Sequence, residues 1–183
     1  IAEEKLRSSE NTFKTIWDNS YDGMRLTDEN GIVYMCNDSY ATIIGKSRFE
    51  IEGQPVSSIY DEEHGAKILN EYLNEFSTQS LVTKYETTVH LWDGSKKEFE
   101  VSNSVIKSIS GKKYLFSIFS DITTRKLNEE LIQKKDKLLQ GIADATKALM
   151  TSRTEGVGFN EALSILGKAA TVDRVDIFQH QVN

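Results

Sequence analysis

Cysteine and proline are almost missing from this 183-residue chain: Cys36 and Pro55 are the single examples of each. One cysteine excludes an intrachain disulfide, and a chain of this size can bury enough apolar surface to fold without one. Cysteine used so sparingly fits a reducing compartment, so a cytoplasmic location is expected. Long apolar runs are missing as well. None approaches the ~20 residues that a membrane span requires. The opening segment, Ile1 to Glu10, is charged and helical in character, unlike a signal peptide. No membrane contact by this stretch is expected. Positive charge is in deficit: 22 lysines and arginines stand against 28 acidic residues, a formal net charge of −6. Such a surface repels phosphate backbones, which argues against nucleic acid as a partner.

Residue sets that carry catalysis are sparse too. His64, His90 and His180 are the only histidines, and their separations match no metal-ligand pattern, so no metal is expected. Gly45-Lys-Ser47 ends like a phosphate-binding loop, but Tyr40 stands where that loop needs its first glycine. No Ser/His/Asp or Cys/His arrangement stands out, and Glu62 and Glu63 read as helix-start charges. No catalytic residues are expected, and the chain is read as a non-enzyme. Asn37-Asp-Ser39 fits the glycosylation pattern but reads as a helix cap.

What is present is a clear alternation of patterns. Residues 1–20 read as a helix, with Leu6, Phe13, Ile16 and Trp17 at helical spacing. Two short strand-like runs follow, Gly23 to Asp28 and Ile32 to Cys36, joined by a turn ending in Asn30-Gly31. Asn37 or Asp38 caps a short helix that Gly45 ends, and Ser47-Arg-Phe-Glu50 is a capping box opening another. Asp61 caps a longer helix with an apolar face of Leu69, Tyr72, Leu73 and Phe76. Residues 80–122 then alternate with period two across Asp93-Gly94 and Ser110-Gly111 turns, which predicts an antiparallel meander. The run from Tyr114 to Ile122 is the most apolar and should lie inside the sheet. The expected fold is α+β: a five-stranded antiparallel sheet with short helices on one face.

A long helix is expected from Thr123. Leu131, Leu138 and Ala145 are seven apart, and so are Asn128, Lys135, Ile142 and Leu149. That is an a/d heptad with two polar a positions, which favours a two-stranded pairing and hence a homodimer. The candidate dimer residues are Leu131, Leu138, Ile142, Ala145 and Leu149; the alternative is one amphipathic helix packed on its own domain. A second helix near Phe159 to Ala170 and a strand from Val172 to Phe178 follow.

The order of motifs resembles a PAS domain over about residues 10–126. Glu10-Asn-Thr-Phe13, Asn19-Ser20, Asp22-Gly23, Asp28-Glu-Asn-Gly31 and Tyr34-Met-Cys-Asn37 are similar to the opening of that family. Ile44-Gly45, Glu52-Gly53 and Asp93-Gly94 resemble its middle, and Ser120-Asp-Ile-Thr-Thr-Arg-Lys126 its closing signature. Tyr21 departs from the proline many members carry. Residues 142–175 resemble the opening of a GAF domain, with Ile142 to Leu149, Glu161-Ala-Leu and Val172-Asp-Arg-Val175 as the matching stretches. The implied organisation is an upstream linker helix over 1–12, a PAS domain over 13–122, a signalling helix over 123–154 and a truncated GAF-like start over 155–183.

The resemblance implies a sensory and relay module, with the ligand pocket between sheet and helices. Its candidate lining is Met24, Leu26, Tyr40, Ile44, Tyr60, Leu69, Tyr72, Phe76, Tyr85, Phe99, Val101, Asn103 and Phe116. Asn103 is polar on an apolar strand face and needs a partner if buried. Flavin-binding members carry a reactive cysteine on the short middle helix, where this chain has Gly53-Gln-Pro-Val-Ser57. Haem-binding members carry a histidine in the long helix, where this chain has Ile68. Neither cofactor is expected, which leaves an unidentified small ligand or none. Asp121 and Thr123 fall at the junction with the signalling helix and are expected to relay the signal to a downstream domain of the same chain. No histidine lies between Thr123 and Arg153, so this helix is no phosphoacceptor. The implied parent is a sensor histidine kinase; a cyclic-dinucleotide synthase or another cyclase is the alternative output. A ligand-free dimerisation scaffold is the third reading, with Trp92, Leu115 and Phe119 on an exposed sheet face.

Overall fold

The computed structural model describes residues 2–152 and 154–172. The expected strand at Val172 to Phe178 and His180 therefore fall outside the described residues, apart from Val172. The chain divides into two units, 1–124 and 125–183.

The first unit holds a helix α1 (Ala2–Asn19), strands β1 (Gly23–Asp28) and β2 (Val33–Cys36), and helices α2 (Asp38–Ile44) and α3 (Arg48–Ile51). A 3-10 turn (Val56–Ile59) and helix α4 (Glu62–Thr78) follow. Strands β3 (Lys84–His90), β4 (Lys96–Lys107) and β5 (Lys113–Asp121) complete it. All strand pairings are antiparallel, in the order β2-β1-β5-β4-β3. The sheet expected from the sequence is the one observed, with β5 at its centre.

Local chemistry sets these boundaries. The Asn37 carboxamide accepts from the Tyr40 N–H at 2.8 Å and starts α2, and Gly45 closes it at φ 74°. Glu50 accepts from the Ser47 N–H at 2.9 Å, the return bond of a capping box. Asp61 accepts from the His64 N–H at 2.9 Å and starts α4. Gly31, between β1 and β2, has φ 76°, and a Cβ there would lie 2.6 Å from Leu69 of α4. That close approach seats α4 beside the hairpin.

Helices α2 to α4 cover one face of the sheet. Between the layers, Tyr40, Ile44, Ile51, Ile59, Leu91, Phe99 and Val101 are almost fully buried. Each such side chain contributes roughly 1.5–3 kcal/mol. The other face is covered in part by α1: Trp17 is buried and stacks on Phe116 at 6.2 Å between centroids.

This double cover corrects the parity read from the sequence. Phe116 faces α1, outside the expected pocket, and Leu26, its register partner on β1, lies on the same outer face, as do Met24 and Ile118. Leu115 and Phe119, expected on an exposed face, are buried in the inner core. Trp92 is exposed, as expected, but it lies just past the end of β3 rather than on a bare sheet face, and its indole N–H donates to the Ile44 carbonyl at 3.1 Å. A strand apolar on both faces carries no alternation from which to tell inside from outside.

In the second unit, α5 (Thr123–Thr151, begun in the first unit) is followed by α6 (Glu155–Ala170). A Cβ on Gly141 of α5 would collide with the Ala169 methyl of α6, so that methyl packs directly on the Gly141 backbone. Ala145, one turn on from Gly141, is buried, as are Ala148 and Ala162. Ala145 therefore lies buried on the hairpin face. Leu131, Leu138, Ile142 and Leu149 are exposed. No helix among the described residues is long and apolar enough to cross a membrane.

Candidate functional site

A cavity of about 410 Å³ opens between α4 and the inner face of β1, β5, β4 and β3. Of the residues expected to line it, Tyr60, Tyr72, Tyr85, Val101 and Asn103 do so. Tyr40, Ile44 and Phe99 are instead packed in the core, and Leu69 and Phe76 pack against it. Asn103 has found its partners: its amide donates to the Val82 carbonyl at 3.0 Å and its oxygen accepts from the Ser117 hydroxyl at 2.8 Å.

The residue that sequence reasoning missed is Arg25. With Met24 and Leu26 turned outward, Arg25 points inward and is only 6% exposed. One guanidinium N–H donates to the Tyr40 hydroxyl at 2.8 Å. The guanidinium carbon sits 4.9 Å from the Phe119 ring centre and 5.5 Å from that of Tyr40. Among the described residues no carboxylate pairs with it, and its Nε–H has no acceptor. Burial is the largest influence and opposes the charge, the Tyr40 hydrogen bond supports it, and the guanidinium stays protonated. Burial also raises the pKa of Tyr40, Tyr60 and Tyr72, so these phenols are neutral donors. An unpaired buried cation costs several kcal/mol, of which two aromatic faces return about 2 kcal/mol or slightly more.

The inner faces of β4 and β5 lead from the cavity to the junction with α5. There the Asp121 carboxylate accepts from the Thr123 N–H at 3.0 Å and pairs with Lys97 at 3.2 Å. The Thr123 hydroxyl accepts from the Glu98 N–H at 3.0 Å, and the Ile122 N–H donates to the Glu98 carbonyl at 2.8 Å. Both residues expected at this junction are thus bonded to β4, Thr123 at Glu98 and Asp121 at Lys97, one and two residues from Phe99. Partial burial pushes the Asp121 carboxyl up, but the bonds from Thr123 and Lys97 outweigh it and hold it below 3.8. A depressed carboxylate adds stability above its unfolded value and loses it as pH falls below about 4. Asp121→Asn, which keeps the acceptor for Thr123 and loses the charge, should flatten the acid limb of a urea-denaturation series measured between pH 5 and pH 2. An unchanged limb would exclude this carboxylate as a source of acid sensitivity.

One cluster could not be read from spacing. The backbone bridge between Tyr60 and Leu91 brings Asp61 beside His90, and α4 brings His64. The His64 Nδ1 lies 2.6 Å and the His90 Nδ1 3.9 Å from the Asp61 carboxylate, and the two rings stack at 4.4 Å. These three side chains are near enough to share a cation. The Asp61 carboxylate already caps α4, and the His64 bond holds it below the ordinary aspartate value. Cys36 is wholly buried, and burial raises its thiol to about 12, which leaves it inert.

These elements define an α+β domain, a helix-covered antiparallel sheet enclosing a cavity. The chain belongs to the PAS family: the family model described as PAS fold matches residues 11–122. The chain is 28% identical over 169 residues to a methyl sulfide methyltransferase-associated sensor from Methanosarcina acetivorans, covering 91% of this chain and 17% of the relative. It is 25% identical over 179 residues to the methanogenesis regulatory histidine kinase FilI of Methanothrix harundinacea, covering 97% and 20%. The chain therefore spans about a fifth of the curated relatives it matches. The PAS domain of an HTR-like protein from Haloarcula marismortui shares the fold at TM-score 0.53 and 19% identity, over 66% of this chain and 98% of that one.

Proposed function

We propose that this chain is the sensory and relay part of a larger cytoplasmic signalling protein, most simply a sensor histidine kinase. The observation that carries the reading is the shared use of β4 and β5. They wall the cavity and, at their Glu98 and Asp121 ends, hold the start of α5. A ligand that binds two packings of the core unequally shifts the balance between them, and the helix start moves with it. The kinase assignment is supported by the histidine kinase whose length this chain matches in part. The ligand is a small molecule, and flavin and haem are not expected: Cys36 is buried outside the cavity lining, and neither His64 nor His90 lines the cavity.

The exposed Leu131, Leu138, Ile142 and Leu149 pair with a second copy, and residues from 155 open a GAF-like module that receives the change. Asp121 and Thr123 are the relay residues. Native mass spectrometry of the 183-residue chain should show a dimer, and replacing Leu131 and Leu138 by glutamate should give a monomer with an unchanged circular dichroism spectrum. A monomer before substitution would remove α5 as the pairing element.

A further inference from the structure

The ligand class follows from Arg25, given the sensory reading of the cavity. We infer that the cavity binds a small organic monocarboxylate, its carboxylate on the Arg25 guanidinium and its hydrocarbon body on the apolar wall.

Arg25 is more than nine-tenths buried and keeps one N–H without an acceptor. Its remaining partners are a phenol and two ring faces, none of which neutralises a charge. A guanidinium is always charged and presents a planar fork that matches a carboxylate. A second donor stands ready. The Tyr60 hydroxyl lines the same cavity, lies within electrostatic reach of Arg25 and, among the described residues, donates to no protein group. Tyr72, by contrast, is committed to the Asp28 carbonyl at 2.8 Å. Val101, Leu115 and Phe119 form the apolar wall.

Charge limits the ligand further. Glu71 and Glu75 stand on the α4 side of the cavity, so a second negative charge there would be repelled. One cation inside and two carboxylates on the helix select a single anion over a phosphate or a diacid. The same carboxylates would welcome an ammonium, so a plain acid and an amino acid share the carboxylate chemistry and are separated by experiment.

Isothermal titration of the 183-residue chain with hexanoate, benzoate, 6-aminohexanoate, hexanamide and inorganic phosphate tests this. Hexanoate or benzoate should saturate one site, and hexanamide and phosphate should bind at least tenfold more weakly. Tighter binding of 6-aminohexanoate would assign the amino acid source; weaker binding would assign the plain acid. Arg25→Met should lose about a hundredfold in acid affinity and none in amide affinity. Tyr60→Phe should weaken the acid by about tenfold while leaving the thermal midpoint in place. Equal binding of hexanamide and hexanoate, or full acid affinity in Arg25→Met, overturns the carboxylate inference while leaving a neutral-ligand sensor intact. Silence of all three acids at millimolar concentration also overturns it. Arg25-dependent acid binding that leaves the parent kinase's output unmoved would instead count against the sensory reading and keep the ligand class.

Discussion

Asn37→Ala should lower the unfolding free energy of the first unit by about 4 kcal/mol. Asn37 is fully buried between α1, β1 and α2. Its oxygen accepts from the Met24 and Tyr40 N–H groups, both at 2.8 Å. Its amide donates to the Trp17 carbonyl at 3.1 Å and the Asp22 carbonyl at 3.0 Å. Truncation leaves two donors and two acceptors bare in a fully buried site, each costing about 1–3 kcal/mol before local relaxation. Urea unfolding followed by tryptophan fluorescence measures this directly, because Trp17 is one of the groups held. A loss below about 1 kcal/mol would mean that α1 and the opening strand are secured by packing alone.

The second large effect has the opposite sign. Replacing Arg25 by methionine and Tyr40 by phenylalanine together should stabilise the ligand-free chain by about 1–3 kcal/mol. The pair removes the unmatched cation and the phenol that depends on it, and keeps apolar volume beside Phe119. Natural cores retain such a charge at a cost to stability when it has a function that apolar groups cannot supply. Equilibrium urea denaturation of both proteins without ligand gives the difference. A loss of more than about 1 kcal/mol would assign Arg25 to the architecture and leave its free N–H without a purpose.

Much of the fold was legible because local chemistry punctuates it. Asn37, Ser47 and Asp61 mark the helix starts; Asn30-Gly31, Asp93-Gly94 and Ser110-Gly111 mark the hairpins. Period-two alternation placed Tyr85, Val89, Phe99 and Val101 on the inner face, where the structure has them. The same rule failed on β1 and β5. It assumes one wet face, and α1 dries the outer one through Trp17, so Met24, Leu26 and Phe116 went to the outer layer and Arg25 to the inner. Asn37 read as a cap and proved to be a clamp on three elements, because three of its four bonds reach chain segments outside α2. The Asp61, His64 and His90 cluster depends on a bridge between Tyr60 and Leu91, a closure that no local spacing encodes.

The central claim is that the cavity and the start of α5 are energetically linked through β4 and β5. A double-mutant cycle in the full-length parent tests it most directly, with autophosphorylation, the output of the proposed kinase, as the readout. Val101→Phe fills part of the cavity from β4, and Asp121→Ala removes the carboxylate at the α5 junction. The account predicts that Val101→Phe changes the rate several-fold in the otherwise unaltered protein and has almost no effect once Asp121 is alanine. Two independent changes that multiply in the double variant would contradict it.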